Sequence, residues 1–161
     1  MPREQIENAL KKHGARVLHL AYSYLRRTAD AEDILQDTML IYLQKAPVFE
    51  SEEHEKAWLL RVAANLCKNR LRSPWSRMSE IPEDYPGEGI PEESLALYES
   101  VNALPEKYRE VIHLFYYEDF FTAQIAYILG KKESTVRSLL FRARALLREQ
   151  LTTKGYNHEE I

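Results

Sequence analysis

"FTAQIAYILGKKESTVRSLLFRARALL", residues 121–147, reads as two short helices joined through a glycine. In a helix-turn-helix unit the two helices cross steeply. The crossing needs a small residue where the backbones approach, a glycine at positive φ in the turn, and an apolar residue of the second helix facing the first. Counted from Thr122, Ala126 is fifth, Gly130 ninth and Val136 fifteenth, where that geometry wants them. In the second helix Val136, Leu139, Leu140, Ala143, Leu146 and Leu147 form one apolar stripe. Opposite it lie Ser134, Ser138, Phe141 and Ala145, flanked by Arg137, Arg142 and Arg148. Small polar residues between arginines let a helix enter the major groove, where guanidinium groups reach guanine edges or phosphates. Phe141 suits a thymine methyl better than it suits water. The arginines are expected to face DNA.

The rest of the composition qualifies that expectation. The chain has 161 residues, 45% of them hydrophobic, and a formal net charge of -3. That is enough for one domain or two small ones. Cys67, the single cysteine, excludes an internal disulfide and a cysteine-based zinc site, and it fits a reducing compartment. "MPREQIENALKKHG" lacks the apolar run of a signal peptide, and no apolar stretch approaches the roughly 20 residues that cross a bilayer. A cytoplasmic protein without membrane insertion is expected. Residues 1–72 carry 12 Lys/Arg against 10 Asp/Glu, residues 73–103 one against seven, and residues 104–161 nine against eight. A free-standing DNA binder is usually strongly basic. With few phosphate contacts, unaided binding is weak, so this pattern calls for a DNA reader held down by a larger partner.

Between the two slightly basic ends, "SPWSRMSEIPEDYPGEGIPEES" holds four of the seven prolines and two of the five glycines. Proline lacks a donor and glycine lacks rigidity, so regular structure is not expected there, and the stretch is too long for an ordinary loop within a domain. Both halves read as all-α. The first helix is expected from about Glu4 to Arg27, with Ile6, Leu10, Val17, Leu20, Ala21 and Leu25 at helical spacing. The second starts at "DAED", with Asp30 able to cap, and runs to Lys45 before Pro47. The third begins near Glu53, with Trp58, Leu59, Val62, Ala63 and Leu66 expected in the core. Arg61, Asn65, Lys68 and Arg72, spaced 4, 3 and 4 apart, form a narrow stripe away from it. This stripe is either a solvated face or a surface for phosphates and bases. In the second half a helix from Glu92 to Asn102 precedes "LPEKYREVIHLFYYED", where Pro105 suits a first helical turn.

These stretches together resemble the extracytoplasmic-function group of the sigma-70 family, the small initiation factors of bacterial RNA polymerase. "DAEDILQDTML" resembles the helix that docks on the polymerase clamp, "WLLRVAANLCKNRLR" the region that reads the -10 element, and residues 104–147 region 4, which reads the -35 element. The resemblance implies an all-α chain of two small helical domains, region 2 over 1–73 and region 4 over 92–152, joined by a flexible acidic linker over 74–91. It implies that Asp33, Gln36, Asp37 and Leu40 face core RNA polymerase. It assigns -10 contacts to Phe49, Arg61, Asn65, Lys68 and Arg72, with Phe49 and Asn65 lining the pocket of a flipped nontemplate base. It assigns -35 contacts to Lys132, Ser134, Thr135, Arg137, Ser138, Phe141 and Arg142. The implied partners are core RNA polymerase, promoter DNA and, by family habit, an anti-sigma factor. The implied linker path runs through the polymerase interior. No cofactor, metal or small-molecule substrate is implied. Several positions depart from the family's usual residues. They are Asn69, Gln124, Lys131, Lys132 and Leu139, and the loop before the third helix is acidic, with Glu50, Glu52, Glu53 and Glu55. A divergent promoter is expected.

Two other classes compete. A dimeric helix-turn-helix regulator explains residues 121–147 but leaves the second helix, the Arg61–Arg72 stripe and the linker without roles. A sigma-like modulator would bind polymerase and initiate nothing. An enzyme is disfavoured. Glu110 and His113 have the Glu-x-x-His spacing of di-iron bundles, but no second copy exists in the chain, and no phosphate-binding glycine loop or nucleophile motif is present.

Overall fold

The computed structural model describes residues 2–73, 92–153 and 155. It holds seven α-helices and one π turn among those residues, divided between two compact units. The expected linker over 74–91, and Trp75 within it, lie outside the described residues.

The first unit packs α1 (Pro2–Leu25), α2 (Thr28–Lys45) and α3 (Glu52–Arg72) around one core. Its buried residues recur at helical spacing: Ala9, Val17, Leu20, Ala21 and Tyr24 from α1, Ala31, Ile34 and Tyr42 from α2, and Leu59, Leu60, Ala63, Ala64 and Cys67 from α3. α1 stops two residues earlier than its periodicity predicts because Arg26 turns into the left-handed region, at φ 59°. Arg27 is then extended and serves as the N-cap of α2, without a side-chain capping bond. Asp30 therefore does not cap. It sits in the first turn, where its charge still complements the positive helix end. Leu10, which shares the helical spacing of the buried Val17 and Leu20, is 42% exposed.

α3 differs from its expected packing. The buried face runs through Ala57, Leu60, Ala64 and Cys67 as well as Leu59 and Ala63, while Trp58, Val62 and Leu66 are only half-buried. The small side chains of Ala57, Ala63, Ala64 and Cys67 let the three helix backbones approach closely. The larger Trp58 is pushed to the margin. Ser51 caps the helix, its Oγ accepting the His54 backbone N–H at 3.0 Å.

The second unit is built from α4 (Glu92–Ala103), α5 (Glu106–Ile112), a π turn (His113–Tyr117), α6 (Thr122–Leu129) as far as Ala126, and α7 (Glu133–Thr153). Pro105 is the N-cap of α5 rather than its first helical residue. The π turn has no counterpart in the sequence reading. It places His113 and Leu114 inside and leaves Tyr116 and Tyr117 exposed. His113 Nε2 lies 3.5 Å from the buried Glu118 carboxylate, and its ring stacks on Tyr117. Among the described residues, no group of three His, Cys, Asp or Glu side chains could hold a metal ion.

The helix-turn-helix forms where expected. Gly130 has φ +64°, the conformation that only glycine adopts without strain. Lys131 N–H reaches back to the Ala126 carbonyl at 2.9 Å and Gly130 N–H to that of Tyr127 at 3.4 Å, the paired bonds of a Schellman stop. At the start of α6, Gln124 Oε1 accepts the Phe121 N–H at 2.8 Å. It does there what a glutamate does in a capping box. At the start of α7 the residue before Glu133 is Lys132, whose carbonyl accepts the Val136 N–H at 3.1 Å but whose side chain has no acceptor for first-turn N–H groups. Lys132→Ser is expected to stabilise the chain by about 1 kcal/mol, read as a higher midpoint of chemical denaturation. An unchanged midpoint would mean that the first turn is already satisfied.

Candidate nucleic-acid interface

α7 carries the first surface. Val136, Leu139, Leu140, Ala143, Leu147 and Leu151 are buried against the unit's core. The opposite face therefore has to be exposed. It carries six of the seven expected contacts, Ser134, Thr135, Arg137, Ser138, Phe141 and Arg142, and the seventh, Lys132, stands exposed directly before the helix. Five of them, Ser134, Arg137, Ser138, Phe141 and Arg142, line one open concavity. Phe141 is 72% exposed, which packing within the unit does not explain. Leu139, standing where an arginine is frequent, is 7% exposed and belongs to the core.

Arg144 separates from its neighbours. Its Nε donates to the Tyr116 hydroxyl at 2.6 Å, and its guanidinium lies 5.3 Å from the Phe115 ring centre and 5.6 Å from that of Tyr116. This arginine ties α7 to the π turn, through cation–π contact and a hydrogen bond. One member of the arginine cluster on α7 thus has a structural role.

α3 and the loop before it carry the second surface. Asn65 and Arg72 are exposed, and Arg61 and Lys68 half-buried, along one face of the helix. Phe49, in the loop between α2 and α3, is enclosed by rings: Tyr42 at 6.0 Å, His54 at 5.2 Å and Trp58 at 5.7 Å between centroids. Trp58 precedes Asn65 by seven residues, two helical turns, and so shares its face about 10 Å away along the axis. Phe49 therefore packs at one end of the face that carries Asn65. His54 adds a hydrogen bond to the loop, its Nδ1 accepting the Glu50 N–H at 3.2 Å.

Beneath the aromatic cluster lies a polar network that reaches all three helices. Glu55 on α3 accepts the Tyr42 hydroxyl from α2 at 2.7 Å and faces His13 Nε2 from α1 at 3.0 Å. Burial first, and then the bond to Glu55, push the Tyr42 hydroxyl up to about 12. Lys12 and Glu52 pair at 2.8 Å, a contact that raises the lysine and lowers the carboxylate relative to their ordinary values. Lys56 lies 3.3 Å from Glu53. Two of the four carboxylates of the acidic loop region, Glu52 and Glu53, thus have a lysine partner, so the loop presents less negative charge than its sequence implies.

The supporting residues Tyr42, His54, Glu55 and Trp58 are absent from the sequence-based site. The spacing of seven between Trp58 and Asn65 is the one available signal, and an apolar assignment for Trp58 conceals it.

α2 carries the third surface. Asp33, Gln36, Asp37 and Leu40 are all exposed, on the side opposite Ala31, Ile34, Thr38 and Tyr42. Leu40 is 55% and Leu43 52% exposed, so apolar area continues along this face. Arg70 of α3 reaches Asp33 at 3.4 Å and Asp30 at 3.5 Å. Asp33 is thus partly neutralised, and Gln36, Asp37 and Leu40 form the centre of the face.

Comparison with known proteins bears on both halves of the chain. Residues 9–77 match sigma-70 region 2, and residues 94–147 match sigma-70 region 4. The chain is 29% identical over 139 residues to the RNA polymerase sigma factor SigV of Bacillus subtilis (strain 168), covering 83% of this chain and 82% of that protein. It is 31% identical over 156 residues to the ECF RNA polymerase sigma factor SigL of Mycobacterium tuberculosis, covering 89% and 87% of the two. Among solved structures, the sigma factor RpoE in complex with the anti-sigma factor NepR from Bartonella quintana has the same fold, with a TM-score of 0.76 at 24% identity, covering 92% of this chain and 98% of that one. Among the described residues, no helix is long and apolar enough to cross a membrane.

Proposed function

The chain belongs to the extracytoplasmic-function (ECF) group of the sigma-70 family, non-enzymatic factors that direct promoter recognition by RNA polymerase, and from that premise we propose a division of labour among its three surfaces. The outer face of α2, centred on Gln36, Asp37 and Leu40 with Asp33 at its edge, docks on core polymerase. The face of α3 with Phe49, Arg61, Asn65, Lys68 and Arg72 captures a flipped base and the backbone of the -10 nontemplate strand. Lys132, Ser134, Thr135, Arg137, Ser138, Phe141 and Arg142, on α7 and directly before it, read the -35 element. Residues 1–73 and 92–152 act as the two functional domains, and 74–91 as the connection between them. The protein works in the cytoplasm, restrained by an anti-sigma factor, as RpoE is bound by NepR in the solved complex.

The observation that carries this proposal is the exposed face of α7, where Phe141 lies bare between Arg137 and Arg142. In the test, purified protein is sized with bacterial core RNA polymerase and then used to transcribe a genomic library. Co-migration with new start sites that share an upstream sequence is expected. Co-migration without transcripts would indicate a polymerase-binding modulator, and DNA binding without co-migration a free-standing regulator. Arg142→Ala is expected to reduce selection at the -35 element roughly tenfold. An unchanged footprint would remove Arg142 from the -35 surface.

A further inference from the structure

We infer that Glu133 is a positioning residue for Arg137, holding its guanidinium so that it reads a guanine rather than sliding along phosphates. The inference rests on the proposed -35 role of α7. One carboxylate oxygen of Glu133, Oε1, forms an ion pair with Arg137 Nη1 at 3.0 Å and accepts a hydrogen bond from Thr122 Oγ1 at 2.9 Å. Arg137 stands one turn further along α7, and Thr122 is the first residue of α6. An isolated ion pair of this kind on an exposed helix is loose and contributes little. Here the second helix anchors the carboxylate, so the pair has a fixed base on one side.

The geometry leaves a defined edge of the arginine available. With Nη1 directed to Glu133, Nε and Nη2 remain as a side-on pair of parallel donors. Two parallel donors match guanine O6 and N7 in the major groove. A phosphate oxygen accepts a guanidinium in many orientations, so orientation matters far more for reading a base than for holding the backbone. The arrangement has an electrostatic cost, since a carboxylate at the DNA surface opposes binding to every sequence. A residue that lowers general affinity while fixing one side chain favours specificity over strength. Thr122 joins in through its hydroxyl alone.

The two possible roles of Glu133 give opposite results. The complete chain, assembled with core polymerase, is offered duplexes carrying a promoter recovered from genomic transcription, with the upstream hexamer randomised. Wild type is expected to prefer guanine about tenfold at the position that Arg137 reads, and Arg137→Ala to lose that preference. Glu133→Gln and Thr122→Val are expected to lose most of it at the same position alone, with Glu133→Gln binding the whole pool as tightly as wild type or more so. Both changes preserve side-chain shape, and Thr122→Val touches the carboxylate only from the side, so a thermal melt separates misfolding from loss of reading. An intact base preference in Glu133→Gln, with affinity shifted equally for all sequences, would overturn the inference. If Arg137→Ala leaves every base preference unchanged, the -35 role of Arg137 itself fails, and the inference with it.

Discussion

Glu55→Ala is expected to destabilise the first unit by about 2–3 kcal/mol, the cost of leaving buried polar partners unpaired. The carboxylate meets the Tyr42 hydroxyl at 2.7 Å and His13 Nε2 at 3.0 Å, and those two residues are 2% and 6% exposed. Tyr42→Phe removes one donor but leaves the carboxylate its contact with His13, and should cost about 1 kcal/mol. The double variant should fall short of the sum by a comparable amount, because the two residues share one bond. Chemical denaturation at neutral pH measures all three. Strict additivity would show that the hydrogen bond makes no net contribution.

The same network predicts an alkaline limit. Folding raises Tyr42 from the ordinary 10.0 to about 12, so the folded state holds this proton more tightly than the unfolded state. The contribution is complete below pH 10 and is lost progressively as pH rises from 10 towards 12. The difference in stability between wild type and Tyr42→Phe should shrink over that interval. Because Tyr42 stacks on Phe49, loss of this clasp is expected to reach the proposed -10 surface as well as the core.

The other large effect is expected at Asn65. Its side chain is exposed, so Asn65→Ala should change stability by no more than about 0.5 kcal/mol. If its amide holds a base extruded from the duplex, a step that costs a few kcal/mol, open-complex formation should fall roughly tenfold or more while core polymerase binding stays intact. Permanganate footprinting of the melted strand and a competition assay for core polymerase separate the two quantities. Weakened core binding would argue against the assigned role. Phe49→Ala should impair both folding and melting, since Phe49 belongs to the aromatic cluster as well as to the proposed pocket.

Much of this was readable from the chain. Gly130 and the alternation of small and basic residues along α7 are local signals, and the structure places that glycine and that face as they require. The misjudged features depend on residues distant in sequence or on unusual backbone. Asp30 has the chemistry of a cap, but the left-handed turn at Arg26 starts α2 earlier. Trp58 has the hydropathy of a core residue, but smaller side chains occupy the centre of the three-helix contact and Trp58 serves the loop. The acidity of that loop reads as a sign of a divergent promoter, yet its partners come from far along the chain: Lys12 lies 40 residues from Glu52 and His13 lies 42 residues from Glu55. No local pattern announces pairs of that kind. The outward face of α7 follows from the spacing along one helix and its -35 assignment from the family resemblance, whereas Glu133 and Thr122 became visible only when α6 and α7 were seen together.

The π turn also bears on how such a chain can vary. Each residue of an α-helix advances the path by about 100°, and a π turn accommodates a residue that the regular spiral has no room for. Deleting one residue between His113 and Tyr117 would narrow that widened turn to a regular spiral and shorten the path from Leu114 to Phe120 by one residue. Phe120, buried just beyond the turn and hydrogen-bonded through its N–H to the Leu114 carbonyl at 3.0 Å, would then be carried off the core. The segment is thus an indexing device. Single-residue insertions and deletions should be rarer within it than in the loops on either side, and a deletion scan scored by protein folding would reveal that intolerance.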